Sequence, residues 1–243
     1  MQPDPPVWRP TAVLVTCEHA GNEVPPAYAP WFADAGGALA SHRGWDIGSL
    51  GYGMRLASRL SAPLIHTTVT RLLIEPNRSP DHPGLYSEFS RDRAPELRRA
   101  VFQAFYAPHR RSVESIIGAL VQRGDRVLHL GAHSFTDVLD GNRRDMDIGL
   151  LFDPGRASEA AVCRAWGASL GLRAPDRVTR FNEPYLGTDD GLTTHLRTVF
   201  SADRYAGVEI EIRQGLIGRA DEQRAMGDLL ADTLPGWADG QTG

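Results

Sequence analysis

The chain has 243 residues, 42% of them apolar and 23% charged, which suits a soluble globular protein with room for one sizeable α/β core. Its formal net charge of −4 argues against a general nucleic-acid binder, which carries a basic excess. All 26 basic residues are arginine, so chemistry that needs a Schiff-base lysine or a P-loop lysine is excluded.

Two cysteines, Cys17 and Cys163, are too few for a disulfide framework and fit a reducing compartment. Met1–Pro10 has prolines and Asp4 but lacks the basic n-region and apolar core of a secretory leader, and no run reaches transmembrane length. The expectation is a cytoplasmic protein with no membrane or nucleic-acid partner. No internal repeat, low-complexity tract or linker divides the sequence, so residues 1–243 read as a single domain.

Residues 12–17, Ala-Val-Leu-Val-Thr-Cys, form a compact apolar run and predict the first strand. It leads into Glu18-His19-Ala20-Gly21-Asn22-Glu23-Val24-Pro25-Pro26, a glycine- and proline-punctuated loop. Glu18 and His19 therefore emerge at a strand's carboxyl end, where His19 could cap a carbonyl or bind a ligand. Ile47, Leu50, Met54, Ala57 and Leu60 recur at helical spacing, and Asp46 just before them reads as an N-cap. Residues 62–69 predict a second strand. The stretch from Thr70 to Pro80 is a short apolar element ending in a polar loop. Its Arg71, Asn77 and Arg78 suit a substrate carboxylate, because guanidinium donors match two carboxylate oxygens. Surface ion pairing is the ordinary alternative for either arginine.

Residues 81–94 read as an irregular excursion and 95–123 as a long helical region, broken or kinked at Pro108. His109 beside that proline reads as structural or surface. Arg126–Leu130 predicts a buried strand, stopping at Gly131-Ala132-His133-Ser134-Phe135-Thr136, a loop in which His133 would face the crevice beyond the sheet. Asp137–Arg144 is a polar loop around Asp140-Gly141, and Asp147–Asp153 the next strand. A helix is predicted over 156–171 with Trp166 and Leu170 inward, then a short strand at 177–181 and a helix from Asp189-Asp190 through His195 to Phe200. Val208–Arg213 alternates strictly, which puts Glu209 and Glu211 on one face of a strand. The last helix is predicted from about Arg219 to Leu234.

Strand ends thus offer His19, His133 and a glutamate from position 209 or 211, with Asp46 nearby. Two imidazoles and a carboxylate are a usual ligand set for a catalytic zinc with one open position. There is no H-E-x-x-H helix and no G-x-S-x-G elbow, and Ser134 would point away from His133 on an extended chain.

Five motifs stand in order: Cys17-Glu18-His19-Ala20-Gly21-Asn22 with Val24-Pro25, Gly44-Trp45-Asp46-Ile47-Gly48, Arg71 to Arg78, Gly131 to Thr136, and Glu209 to Gln214. Together, over about residues 12–216, the chain resembles the N-formylglutamate amidohydrolase family. The resemblance implies kinship with zinc carboxypeptidases and aspartoacylases, and a mixed, mostly parallel β-sheet flanked by helices in a zinc-exopeptidase-like α/β fold. His133 then resembles the second zinc histidine, Glu211 the general base, and Asn77-Arg78 the pair that grips the substrate carboxylate, with Arg71 upstream. The wider superfamily has a glutamate three residues after its first histidine, whereas position 22 here is asparagine. Asp46 is taken as the carboxylate ligand because the Trp-Asp motif has no other evident duty; Glu18 and Glu23 are alternatives. Glu209 could orient a ligand histidine or pair with an arginine. The implied activity is hydrolysis of an N-acyl amino acid, N-formylglutamate foremost, with one divalent metal, zinc, on His19, Asp46 and His133. The family name would place that reaction in histidine breakdown. A non-catalytic relative that binds small acidic ligands, or a carboxypeptidase-like peptidase, is the alternative.

Overall fold

The computed structural model describes residues 8–236, so residues 1–7 of the Met1–Pro10 stretch lie outside it. In chain order the elements are β1 (Ala12–Cys17), α1 (Gly36–Leu39), α2 (Ser49–Arg59), β2 (Leu64–His66), α3 (Pro95–Val101), α4 (Ala107–Gln122), β3 (Val127–Phe135) and β4 (Val138–Leu139). They continue with β5 (Asn142–Arg143), β6 (Ile148–Leu151), α5 (Ala157–Arg173), β7 (Thr179–Phe181), α6 (Leu192–Val199), β8 (Tyr205–Arg213) and α7 (Ala220–Thr233). Six strands form one sheet in the order β2-β1-β3-β8-β6-β7. Neighbours run parallel except β6 and β8, so the sheet is mixed and mostly parallel. No helix among the described residues is long and apolar enough to cross a membrane.

The two faces of the sheet are chemically different, and the alternation of side chains along each strand makes them so. One face collects Val13, Val15, Leu128, Leu130, Val208, Ile210 and Ile212 against Tyr52 and Leu56 of α2, Trp166 of α5 and Leu230 of α7. Each fully buried Leu, Ile or Val there contributes roughly 1.5–3 kcal/mol of apolar burial. The other face carries the intervening residues, among them His129, His133, Glu209 and Glu211. At its amino end Leu14, Val127 and Tyr205 pack on Val113 and Ile117 of α4 and Leu196 of α6. A separate apolar cluster of Phe32, Leu72, Leu73, Ile74, Leu85, Val101 and Tyr106 lies beneath the loops and fixes the 70–78 stretch.

Several expectations change. Gly131–Phe135 is strand, not loop: β3 runs on because β8 stays paired with it as far as Phe135↔Arg213. The predicted strand 62–69 shortens to Leu64–His66, with one isolated bridge from Glu23 to Val69 beyond it. Pro108 does not break the helical region. A π-helical turn, Phe102–Tyr106, joins α3 to α4 just ahead of it and absorbs the irregularity that a missing N–H imposes. The polar loop 137–144 contains the β4–β5 hairpin, turned at Asp140 and Gly141, both at positive φ.

Asp46 is not the cap of α2. That position falls to Gly48 at φ +82°, and Asp46 contributes only its carbonyl, which accepts from the Ser49 N–H at 3.1 Å and the Ser49 hydroxyl at 2.8 Å. Its own N–H donates to the His19 carbonyl at 3.0 Å, so the turn before α2 is fastened to the end of β1 and the carboxylate is left free. A Cβ at Gly48 would lie 2.4 Å from the Ile217 carbonyl oxygen. Gly48→Ala is therefore expected to cost about 2 kcal/mol or more of stability in denaturant unfolding, from left-handed strain plus this overlap. An unchanged midpoint would show that this turn does not need its glycine.

Candidate active site

The polar face of the sheet ends in a cavity of about 370 Å³ whose lining includes His19, Asp46, Arg71, Asn77, Arg78, His133, Glu209 and Glu211. His133 and Glu211 are register partners on β3 and β8, and Glu209 lies opposite Gly131. On the far side of β8, Gly149 faces Glu211; a Cβ there would come within 2.3 Å of the Glu183 carbonyl oxygen and 3.1 Å of the Glu211 Cβ. A larger residue would crowd the glutamate.

Three ligand atoms from His19, Asp46 and His133 lie within 4.8 Å of one another, and all three residues are buried. Asp46 Oδ2 is the meeting point, 3.2 Å from His19 Nδ1 and 3.0 Å from His133 Nδ1, and it also accepts the Ser134 N–H at 3.2 Å. The opposite ring nitrogens meet carboxylates too. His19 Nε2 is 2.5 Å from Glu75 Oε1, and His133 Nε2 is 3.2 Å from Glu18 Oε2, in ion contact but out of line for a good hydrogen bond. A neutral imidazole has one N–H and one lone pair. If the outer Nε2 carries the proton, as the Glu75 contact demands of His19, each inner Nδ1 turns a lone pair toward Asp46. Three lone pairs facing one another require a cation or extra protons between them, and carboxylates behind the outer nitrogens are the usual support of metal-ligating histidines. The donor set fits a divalent ion.

The charges of the side chains alone tell the same story. Burial opposes ionisation of Asp46, but His19, His133 and Arg71 hold its carboxyl far below the usual range. Glu75 is likewise held low against burial by Arg71 and His19, and Glu18 by His109 and His133. Burial and Arg71 disfavour charge on His19, yet Glu75 and Asp46 raise its pKa. His133 is carried well above its ordinary value, against burial, by Asp46 and Glu18. Both histidines are thus biased toward carrying positive charge at this place, against their burial. By contrast His129, on the same strand face, is a neutral core histidine: burial lowers its pKa to about 4, and Thr16 and Tyr205 satisfy its two nitrogens at 2.8 Å each. The Cys17 thiol, pushed up to about 12 by burial, offers no thiolate.

Glu211 differs from every other carboxylate here. Burial pushes its pKa up to about 8; His133 opposes this, while Asp46 and Glu209 add to it. Its Oε2 is buried and unpartnered. Glu209 makes no ion pair among the described residues; its Oε1 accepts from Asn77 Nδ2 and Thr193 Oγ1, each at 3.3 Å. Asn77 Oδ1 in turn accepts the Leu192 N–H at 2.7 Å, which locks the amide to the start of α6.

The two arginines are not equivalent. Arg71 has Nε and Nη2 on Glu75, at 2.6 and 2.5 Å, and Nη1 3.4 Å from Asp46. All three of its nitrogens serve the protein's own carboxylates. Arg78 donates from Nη1 to the Asp190 carbonyl and has no carboxylate partner among the described residues, because the Asp190 side chain is held by Ser79. Glu23, an alternative ligand from sequence, accepts from Thr68 in an exposed position outside the cavity.

Sequence reasoning overlooked Glu75, although its place four residues after Arg71 is a hint of pairing. His109 is not a surface residue; α4 buries it with Nε2 3.6 Å from Glu18 Oε1. Tyr52 gave no signal at all, yet its hydroxyl reaches the carbonyls of His133 at 2.8 Å and Ile210 at 3.1 Å from the opposite face.

The profile of the N-formylglutamate amidohydrolase family matches residues 11–218. Among solved structures, a gene product of Agrobacterium tumefaciens is 29% identical with a TM-score of 0.81, over 95% of this chain and 92% of that one. N-formylglutamate amidohydrolase from Ralstonia eutropha is 19% identical with a TM-score of 0.62, over 96% and 97% of the two chains, a likeness of fold. No curated protein matches significantly. With the family profile covering most of its length, the chain belongs to the N-formylglutamate amidohydrolase family.

Proposed function

We propose that this protein hydrolyses the amide bond of a small N-acyl amino acid, with N-formylglutamate the leading substrate and zinc the leading metal. The observation that carries this is one cavity holding three things at once: the convergent His19–Asp46–His133 donors, the unpartnered Glu211 carboxyl and the carboxylate-free Arg78 guanidinium. When bound by His19, Asp46 and His133, a divalent ion polarises a carbonyl and lowers the pKa of water to about 7.

The rest falls to the chain. Arg78 holds the substrate's carboxylate through guanidinium donors, and the amide of Asn77, fixed by Leu192 and Glu209, sets the wall beside it. Arg71 keeps Glu75 and Asp46 ionised and in place, so its contribution to substrate binding is its charge rather than a free donor. Glu211 takes the proton of the attacking water and delivers it to the leaving nitrogen. A cation at the donor set would favour the ionised form of this carboxyl, which burial disfavours.

Metal content is the direct check. Purified protein should carry a stoichiometric divalent ion, lose amidase activity on chelation and regain it with zinc, and His133→Ala should lose the ion. Metal-free protein that gains no activity with zinc sinks the reading. Glu211→Gln should keep the ion while kcat falls by about 10²-fold or more. In metal-free protein the same carboxyl, with its folded pKa of about 8 above the unfolded value, contributes stability that is present at low pH and lost as pH rises through about 8. The variant's melting temperature should therefore gain on wild type by several degrees between acid and pH 9; parallel curves would contradict the raised pKa. Arg78→Ala should raise KM by about tenfold or more, the worth of a charge-assisted pair. An unchanged KM removes Arg78 from the site.

A further inference from the structure

Glutamyl and aspartyl substrates carry two carboxylates, and the cavity lining allows a choice of the second anchor. Besides the two donor histidines, its basic residues are His42, Arg43, Arg71 and Arg78. Arg71 is spent on Glu75 and Asp46, and Arg78 takes the first carboxylate. His42 offers a single ring N–H at a time, whereas a guanidinium presents two in a fork. Arg43 is left. It reaches out of the cavity wall to Glu88 in an ion pair whose partners are 49% and 41% exposed. So open a pair is weak and readily exchanged.

The backbone beneath Arg43 is held while its side chain is not. Arg43 N–H donates to Ser41 Oγ at 3.2 Å, and Gly44 N–H to the Ser41 carbonyl at 2.9 Å. The Gly44 carbonyl accepts from Thr70 Oγ1 at 3.0 Å and Arg71 N–H at 3.3 Å. Asp46, three residues on, is tied to His19. An arginine with a fixed base and a loosely paired head suits a carboxylate that arrives and leaves.

We infer that Arg43 anchors the side-chain carboxylate of an acidic acyl amino acid, and that Glu88 fills this anchor until substrate displaces it. The inference rests on the hydrolase reading above and adds its selectivity. Neither residue touches the donor set, so both can be changed without dismantling it.

The test compares N-formylglutamate with N-formylglutamine, its isostere with a neutral side chain, on metal-replete wild type, Arg43→Met, Glu88→Gln and Arg144→Met. Arg144 stacks on Phe135 and Tyr185, so its variant controls for loss of a nearby charge alone. Arg43→Met should raise KM for the acid by about tenfold and leave the amide unchanged. Glu88→Gln should lower KM for the acid by a few-fold, because the competing carboxylate is gone. Titration calorimetry of L-glutamate against L-glutamine on the same proteins reads the anchor independently of turnover. Absence of turnover in wild type overturns the hydrolase reading. Loss of the acid preference in Arg43→Met, by kinetics or by calorimetry, supports the anchor. An acid-to-amide ratio that Arg43→Met leaves unchanged, or that Arg144→Met alters equally, overturns it.

Discussion

One carboxylate oxygen organises this molecule. Asp46 Oδ2 meets two imidazole nitrogens and accepts a backbone N–H, and it lies on a segment fastened to the strand that supplies one of those imidazoles. A buried anion is costly unless its surroundings return the lost hydration. Around Asp46 they do so in two layers: the histidines, Arg71 and Ser134 touch it, while Glu18 and Glu75 stand behind the histidines. The layers alternate in kind, a carboxylate inside, imidazoles and a guanidinium around it, and carboxylates again outside. Removing any member would leave its neighbours buried with unbalanced charge.

The sheet makes this concentration tolerable by segregating it. Residues of even number on β3 and β8 join an apolar core of ordinary kind, and residues of odd number carry the titratable groups. Stability and chemistry therefore draw on opposite faces of the same strands. Tyr52 is the exception that crosses over, an apolar-face residue whose hydroxyl steadies the carbonyls beneath His133.

Much of this was legible in the sequence, and the limits are physical. Strands β1 and β8 declared themselves through compactness and alternation, and His19 and His133 through their place at the ends of apolar runs. The continuation of β3 through Gly131–Phe135 was not legible, since glycine and serine weaken strand propensity and only pairing with β8 retains them. Asp46 illustrates the general difficulty. Its position before a helix fits capping so well that local reasoning stops there, while the facts that reassign it are a positive φ at Gly48 and contacts to residues 27 and 87 positions away. Glu75 and His109 stayed silent for the same reason: a residue whose partner is distant in sequence has no local signature.

The pairing of His133 with Glu211 has a further consequence. Neighbouring strands are about 4.8 Å apart in any sheet, and that spacing separates these two residues' backbones. The spacing between His133 and the acid beside it is thus inherited from the hydrogen-bond ladder rather than from a loop. A one-residue slip of either strand would turn its own side chain to the opposite face and break the pairing. Substitutions in the loops around the cavity can therefore change its lining while the spacing of His133 and Glu211 stays locked to the sheet.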